Sequence, residues 1–159
     1  MSQLIIMRHA QADSSYGGAD FARPLTKLGH QQAAQQARWL ATQDLQPHIV
    51  MCSPATRTRD TAVIVSDILK LDKRHGQLVQ KIYEATAGDL IEVLDTSAHE
   101  ANVLLIGHNP GVSALVSLLS GQYATMTPAT IALLRLAPEP ERRWDRESAR
   151  LDGLQHPER

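Results

Sequence analysis

Short runs of apolar residues, each followed by polar or small residues, recur along the chain. The first run, residues 4–7, has no polar interruption, which is typical of a strand buried on both faces. Similar runs at 48–52, 102–106 and 129–136 predict further strands, and a weaker run predicts a short one at 78–83. The chain is therefore expected to contain a sheet of mainly buried strands.

Between these runs, apolar residues recur at helical spacing. Thr26 is a candidate N-cap for a helix that ends near residue 43, and Gly88-Asp89 predicts the start of another. Ser53-Pro54 and Asn109-Pro110 each place a capping side chain before a proline, which suits the first helical position. The alternation of strands and helices predicts a parallel or mostly parallel α/β sheet covered on both faces.

The last part of the chain, residues 137–159, is charged and contains prolines, and its only large apolar anchors are Trp144 and Leu151. We expect a turn at 138–142, an edge strand around Trp144 or a short helix there, and some irregular structure. At 159 residues the whole chain, 1–159, is the size of a single domain.

Composition and charge exclude several classes of protein. With 43% hydrophobic and 21% charged residues, the chain is expected to be globular, neither disordered nor membrane-spanning. A net charge of −1 argues against general nucleic-acid binding. Cys52 is the single cysteine, so no intramolecular disulfide forms. No N-terminal signal segment is visible, and a cytoplasmic location is expected.

Positively charged and imidazole side chains follow the predicted strands. Arg8 and His9 come after the first strand, Arg57 lies in the first turn of the helix after the second, and His108 follows a later strand. Arg23 belongs to the loop at 11–23. Since parallel strands end at one edge of a sheet, these residues are expected to meet there, and guanidinium groups beside helix N-termini suit a phosphate. The alternative is that Arg8 and His9 are only solvated residues ending a strand.

Other chemistries find less support. Counting from Cys52, the arginine position of a cysteine-dependent phosphatase loop falls on Thr58, and the glycine-rich nucleotide loops and the serine-hydrolase elbow are absent. Ser53 is interpreted as a helix cap and Cys52 as a small buried apolar residue. No metal or other cofactor is expected, because the remaining histidines stand alone in the sequence. These are His30, His48, His75, His99 and His156.

Four groups of residues, in order along positions 4–120, carry a resemblance to a known family. They are Arg8-His9-Ala10; Leu25-Thr26 with Gly29 and Gln32-Ala33; Ser53-Pro54 with Arg57-Thr58 and Thr61-Ala62; and Gly107-His108-Asn109-Pro110. With these four groups the chain resembles the histidine phosphatase superfamily, which includes the cofactor-dependent phosphoglycerate mutases. The short length and the segment Arg23-Pro24-Leu25-Thr26 are similar to the SixA-type phosphohistidine phosphatases.

The resemblance implies a three-layer α/β/α fold like that of phosphoglycerate mutase, without a large capping subdomain. It implies that His9 is the nucleophile, that Arg8, Arg57 and His108 form the phosphate pocket, and that Arg23 is a further phosphate ligand. Two departures from the family pattern stand out. Ala10 replaces the usual glycine, and the general acid of the larger relatives has only Glu84 as a candidate.

From these residues we expect a phosphatase that works through a phosphohistidine intermediate on His9, kept neutral by its neighbouring arginines. A phosphohistidine-bearing protein of a signalling or phosphorelay system is the expected partner. About eighteen residues separate Glu84 from the next strand, which leaves little material to cover the site, and an imidazole leaving group of pKa about 6.5 needs little acid catalysis. The alternatives are a phosphatase or mutase of a small phosphorylated metabolite and a catalytically silent phosphoprotein-binding module.

Overall fold

The computed structural model describes residues 2–97 and 102–158, which are built around a six-stranded sheet. The strands are β1 Ser2–Arg8, β2 Ile49–Cys52, β3 Gly76–Leu78, β4 Asn102–Gly107, β5 Ile131–Leu136 and β6 Ala149–Gln155. Their order across the sheet is β3-β2-β4-β1-β5-β6. The pairs β1–β4, β4–β2 and β2–β3 are parallel, whereas β5 is antiparallel to both β1 and β6. The predicted mostly parallel α/β sheet is confirmed.

Helices cover both faces of the sheet. They are α1 Lys27–Thr42, α2 Thr56–Leu69, α3 Ala87–Ser97 and α4 Gly111–Ser120, with short 3₁₀ helices at Asp20–Ala22, Lys73–His75 and Gln80–Ile82. Alternate residues of β1 point to opposite faces: Leu4 and Ile6 pack in the core with α3 and α4, while Ile5 and Met7 pack with α1 and α2. This burial on both faces explains the uninterrupted apolar run of β1 and confirms the three-layer α/β/α fold. None of the described helices has the length and apolar character needed to cross a lipid bilayer.

The chain leaves β1 and β4 toward opposite faces of the sheet, to α1 and α4 respectively. Neighbouring strands whose connections diverge in this way leave a crevice at their carboxyl ends, where ligands bind in open α/β sheets. Between β3 and α3 the chain forms only the 3₁₀ helix Gln80–Ile82 and its flanking turns. Among the described residues no capping subdomain covers this edge, as expected.

The loop after β1 is held against the start of α1. Thr26 is the N-cap of α1, as predicted, since its Oγ1 accepts a hydrogen bond of 3.0 Å from the backbone N–H of Gly29. A side chain at Gly29 would not fit, because its Cβ would lie 2.1 Å from the carbonyl oxygen of Gln11. This close approach fixes the path of the chain as it leaves the site edge.

The other helix starts differ from the predictions by one or two residues. α2 begins at Thr56 and α4 at Gly111, and neither Ser53 nor Asn109 caps its helix. α3 begins at Ala87, where Thr86 and Asp89 bond reciprocally through their side chains and backbone N–H groups, as in a capping box. The predicted caps at Ser53 and Asn109 are wrong because both side chains have tertiary partners.

Two predicted strands lie elsewhere. β3 is at Gly76–Leu78 instead of 78–83, because the N–H of Val79 donates to the carbonyl of Cys52 and the chain then turns to bury Ile82. The edge strand expected around Trp144 is β6, residues 149–155. Trp144 packs against the core from an irregular segment before β6, and β6 pairs with β5.

Candidate active site

The two histidines singled out in the sequence lie side by side at the carboxyl ends of neighbouring strands. Arg8, the last residue of β1, is in register with Gly107, the last residue of β4. His9 and His108 follow them directly, and their ring centroids are 5.2 Å apart with an angle of 58° between the planes. The backbone N–H of His9 donates to the carbonyl of Gly107 at 3.0 Å, which fixes this juxtaposition.

The ring of His9 is neutral and held in one tautomer. Its Nδ1–H donates a 2.7 Å hydrogen bond to the carbonyl oxygen of Ala10, so Nε2 carries the lone pair. The pKa of His9 is lowered to about 3, chiefly by burial; His108, Arg57 and Arg8 lower it further, and the bond to Ala10 acts in the opposite direction. The expectation that arginines keep the ring neutral is therefore only part of the explanation, because burial contributes more.

His108 is oriented by Ser53, a contact that the sequence interpretation missed. Ser53 follows β2, the strand beside β4, and its Oγ lies 2.9 Å from Nε2 of His108. That Oγ also accepts a hydrogen bond from the backbone N–H of Ala55 at 3.1 Å. Among the described residues, Nε2 of His108 is the acceptor within hydrogen-bond distance of this hydroxyl, so the pair is satisfied when the hydroxyl donates to Nε2 and the ring proton of His108 lies on Nδ1. Burial and the charge of Arg57 lower the pKa of His108 to about 4, so its ring is also neutral.

Arg57 is the second residue of α2, and its side chain is buried at the same edge. Its guanidinium donates from Nη1 to the backbone carbonyl of Asp20 at 2.8 Å and from Nη2 to Asp20 Oδ2 at 3.2 Å. A cation is unfavourable at a helix N-terminus, and here a carboxylate accompanies it. The hydroxyl of Thr61 ties this turn of α2 to the loop after β1, because it donates to the carbonyl of Arg57 and accepts from the N–H of Ala10.

Three nitrogen atoms of this cluster are buried and have no hydrogen-bond partner among the described residues. They are Arg8 Nε, Arg57 Nε and His108 Nδ1. Arg8 otherwise donates from Nη1 to the carbonyl of Met126 at 3.1 Å, and its pKa is lowered by burial and by Arg57. A buried donor without an acceptor is costly, by about 1–3 kcal/mol. Such a set of donors is suited to an oxyanion.

Asp20 and Tyr83 complete the cluster, and both were missed in the sequence. The carboxylate of Asp20 accepts hydrogen bonds from Arg57, from Arg23 Nε at 3.1 Å and from the hydroxyl of Tyr83 at 2.7 Å. Arg23 thus reaches this edge through Asp20, and its charge also lowers the pKa of His108. The available signal was the spacing of Asp20 and Arg23, three residues apart in a loop whose other charged residue is Asp13.

Glu84 lies at the rim, beside the cluster. Its side chain is exposed, its backbone has a φ of 55°, and it lines a cavity of about 410 Å³ that His108 also lines. Its role as a general acid stays a prediction. Cys52 is buried, as predicted, and burial raises the pKa of its thiol to about 11.

Among the side chains that the structure describes, no group of three or more His, Cys, Asp or Glu is placed to hold a metal ion. Four of the five histidines interpreted as standing alone lie within residues 2–97 and 102–158, and His99 lies outside the described residues.

Comparison with known proteins places this arrangement in a family. The sequence model of the histidine phosphatase superfamily, branch 1, matches residues 4–90, which is more than half of the chain. The chain belongs to the histidine phosphatase superfamily. This confirms the resemblance inferred from the four groups of residues.

Similar proteins cover most of the chain. An uncharacterised protein of Mycobacterium tuberculosis is 32% identical over 120 residues, which are 75% of this chain and 73% of that protein. The structure of the protein histidine phosphatase SixA complexed with tungstate superposes with a TM-score of 0.84 at 27% identity, over 98% of this chain and 97% of that one.

A mycobacterial glucosyl-3-phosphoglycerate phosphatase shares the fold, with a TM-score of 0.67 at 17% identity over 98% of both chains. Family membership and the likeness to SixA support a phosphatase activity. The fold alone leaves the substrate open, because it is shared with an enzyme named for a phosphorylated metabolite.

Proposed function

We propose that this protein is a phosphatase that removes the phosphoryl group from phosphohistidine on a protein, with His9 as its nucleophile. The observation that carries the proposal is the state of the His9 ring. It is neutral, its Nδ1–H is engaged by the carbonyl of Ala10, and it stands beside His108 and two arginines at the open edge of the sheet. A neutral imidazole with one fixed lone pair is a competent nucleophile toward phosphorus.

In the first step, Nε2 of His9 attacks phosphorus in line with the bond to the leaving group. The substrate ring reacts with a proton on its other nitrogen. A bond forms between Nε2 and phosphorus while the bond from phosphorus to that ring breaks, and the electron pair goes to the departing nitrogen, so the substrate side chain leaves as neutral imidazole. In the second step, water attacks phosphorus and the bond to Nε2 breaks, which releases inorganic phosphate. One water is consumed, and histidine and phosphate are the products.

The surrounding donors would stabilise the charge that develops on the phosphoryl oxygens. Arg8 and Arg57 supply guanidinium N–H groups, and His108 supplies the Nδ1–H that Ser53 directs. Electrostatic stabilisation and positioning account for most of the catalysis in phosphoryl transfer. Arg23 acts one step further away, through Asp20.

Two observations favour phosphohistidine over a phosphorylated metabolite. No capping subdomain encloses this edge in the described part of the chain, so the phosphoryl group of a large protein substrate has access. Glu84, the candidate general acid, makes no hydrogen bond to the histidines, and an imidazole of pKa about 6.5 leaves without strong acid assistance. The structural likeness to SixA, whose complex holds the tetrahedral oxyanion tungstate, agrees with this choice.

The proposal is tested by measuring phosphate release from a histidine-phosphorylated protein, a phosphoserine peptide and a sugar phosphate, each with and without a chelator. Wild type is compared with His9→Ala and with His30→Ala, a matched control whose histidine is exposed on α1. We expect phosphohistidine to be the preferred substrate, the chelator to have no effect, and His9→Ala to lose at least about a thousandfold in kcat/KM. His30→Ala should retain full activity.

Each contrary result identifies a different error. Undiminished turnover by His9→Ala would remove the nucleophile assignment. Faster hydrolysis of the sugar phosphate would favour the metabolite phosphatase, and loss of activity with the chelator would exclude the metal-free mechanism.

A further inference from the structure

The carboxylate of Asp20 is a fixed negative charge inside a cluster that otherwise attracts anions. Its Oδ2 accepts from Arg57 Nη2 and from the Tyr83 hydroxyl, at 3.2 and 2.7 Å, and its Oδ1 accepts from Arg23 Nε at 3.1 Å. These bonds engage both carboxylate oxygens and place them between the guanidinium groups of Arg57 and Arg23.

The position of this carboxylate is built into the fold. Asp20 opens a 3₁₀ helix, and the next residue, Phe21, packs edge-on against the ring of Tyr83 at 5.1 Å between centroids. The backbone carbonyl of Asp20 also accepts a 2.8 Å hydrogen bond from Arg57 Nη1. Asp20 is therefore held beside Arg57 by hydrogen bonds to its backbone carbonyl and its carboxylate, and the packing of Phe21 on Tyr83 fixes the segment that carries it. The side chain is still 52% exposed, so a bound substrate can meet its charge.

Asp20 lowers the net positive charge of the groups that surround the two histidines. The charged groups that act on the ring of His108 are Arg57, Arg8, Arg23 and Asp20, whereas both imidazoles are neutral. Three positive charges and one negative charge give this set a net charge of +2, which matches a phosphoryl dianion. The exposed carboxylate of Glu84 lies at the rim, outside this set. No cation of this set is left to receive a second anionic group on the same substrate.

We infer that Asp20 determines specificity by rejecting substrates that carry a second anionic group beside the phosphoryl group. Substrates whose neighbouring group is uncharged or donates a hydrogen bond are accepted. The inference rests on the proposed function, because it requires that the site binds a phosphoryl group. Like-charge repulsion against the wrong ligand is a general means of achieving specificity. An imidazole leaving group fits the rule in the protonated form that leaves as neutral imidazole, since its second ring nitrogen then carries a proton that a carboxylate can accept.

Asp20 does not serve as a proton donor in this scheme. Its pKa is lowered to about 2, first by the hydrogen bond from Tyr83 and further by Arg57 and Arg23, although partial burial opposes the shift. The carboxylate is therefore ionised across the physiological pH range and repels a second anion throughout it.

The test compares two ligands that differ by one charged group. Orthophosphate has the phosphoryl charge alone, whereas 2-phosphoglycolate adds a carboxylate next to it. Their dissociation constants are measured by titration calorimetry with wild type, Asp20→Asn and Asp13→Asn. Asp20→Asn removes the charge but keeps an oxygen that can accept from Tyr83. Asp13→Asn is the matched control, since Asp13 lies in the same loop, its carboxylate accepts hydrogen bonds from Ser15, and its contact with Arg23 is through the backbone carbonyl, which the substitution keeps.

We expect Asp20→Asn to improve the affinity for 2-phosphoglycolate by about fivefold more than that for orthophosphate. Asp13→Asn should change the two affinities in equal proportion. An equal gain for both ligands in Asp20→Asn would overturn the inference, because Asp20 would then only compete with phosphate for Arg57. No change in either affinity would also overturn it. Failure of wild type to bind orthophosphate would instead remove the phosphoryl site itself, and with it the proposed function.

Discussion

Two turns leave neighbouring strands at the same edge of the sheet with the same pattern, a capping residue followed by proline. Ser53-Pro54 follows β2 and Asn109-Pro110 follows β4. Neither side chain caps the helix that comes next. Ser53 bonds to the ring of His108, whereas the amide of Asn109 donates to the carbonyl of Met126 and accepts from the hydroxyl of Ser113. The first turn serves the site, and the second holds the scaffold around it.

A short polar side chain at a strand end therefore has several competing partners. A helix cap contributes about 1 kcal/mol, and a hydrogen bond to a buried group that would otherwise lack a partner contributes a similar amount. Where the site or the tertiary packing offers such a group, the helix begins later and without that cap. The following predictions separate the chemical role of one turn from the structural role of the other.

Among changes in and next to these two turns, the largest effect is expected at Arg57, which follows the turn after β2. We expect Arg57→Ala to lower kcat/KM by about a hundred- to a thousandfold, because the proposed mechanism uses this buried guanidinium to stabilise the charge that develops on the phosphoryl oxygens. The loss in kcat/KM is measured as the rate of phosphate release from the substrate that wild type prefers. Arg59→Ala is the matched control: Arg59 lies two residues further along α2, is exposed, and lines a different cavity with Cys52. Equal losses in both variants would contradict a specific role for Arg57.

The sheet and the meeting of the main site residues could be predicted from the sequence, whereas the partners of the polar side chains in the two turns could not. The apolar run of β1, the paired strand ends and the family motifs were sufficient to predict the sheet and the meeting of His9, Arg8, Arg57 and His108 at one edge. Those features depend on local pattern and on the geometry common to parallel sheets.

The partners of Ser53 and Asp20 depend on contacts across the fold. Ser53 is 55 residues from His108, and Asp20 is 63 residues from Tyr83. A serine before a proline carries the same local signal whether it caps a helix or orients an imidazole. The choice is made by the register of β2 against β4, which places Ser53 beside the ring.

The next effect concerns pH, because the hydroxyl of Ser53 donates only to an unprotonated ring. In the folded protein the pKa values of His9 and His108 are about 3 and about 4, below the value of about 6.5 expected in the unfolded chain. At pH values between the folded and the unfolded pKa, the unfolded chain binds more protons than the folded protein does. Stability that is present above pH 6.5 is therefore lost as the pH falls, by up to about 1.4 kcal/mol per pH unit for each histidine.

Urea unfolding between pH 7 and pH 4.5 measures this loss, and His108→Gln should remove about half of the histidine contribution to it. Carboxylates titrate in the same experiment, so the difference between wild type and variant is the informative quantity. If the two stability curves run parallel, the rings are not kept neutral by the folded structure.

A smaller effect is expected for Ser53→Ala. Without the hydroxyl, His108 is no longer held with its proton on Nδ1, and we expect kcat to fall about tenfold while KM changes little. The ¹⁵N chemical shifts of the His108 ring report the tautomer directly. They should indicate a single Nδ1–H form in wild type and a mixture in Ser53→Ala. A single unchanged tautomer in the variant would show that Ser53 acts only on packing.

The smallest effect on activity is expected for Asn109→Ala, the corresponding change in the other turn. It leaves the carbonyl of Met126 without its 2.7 Å partner from Asn109, although Arg8 Nη1 still donates to that oxygen. Because one donor remains, we expect a loss of only about 1 kcal/mol in the free energy of unfolding, measured in urea. The His108 tautomer and kcat should stay as in wild type, since Ser53 is untouched. A mixed tautomer in Asn109→Ala would mean that the two turns orient His108 jointly and that their roles are not separate.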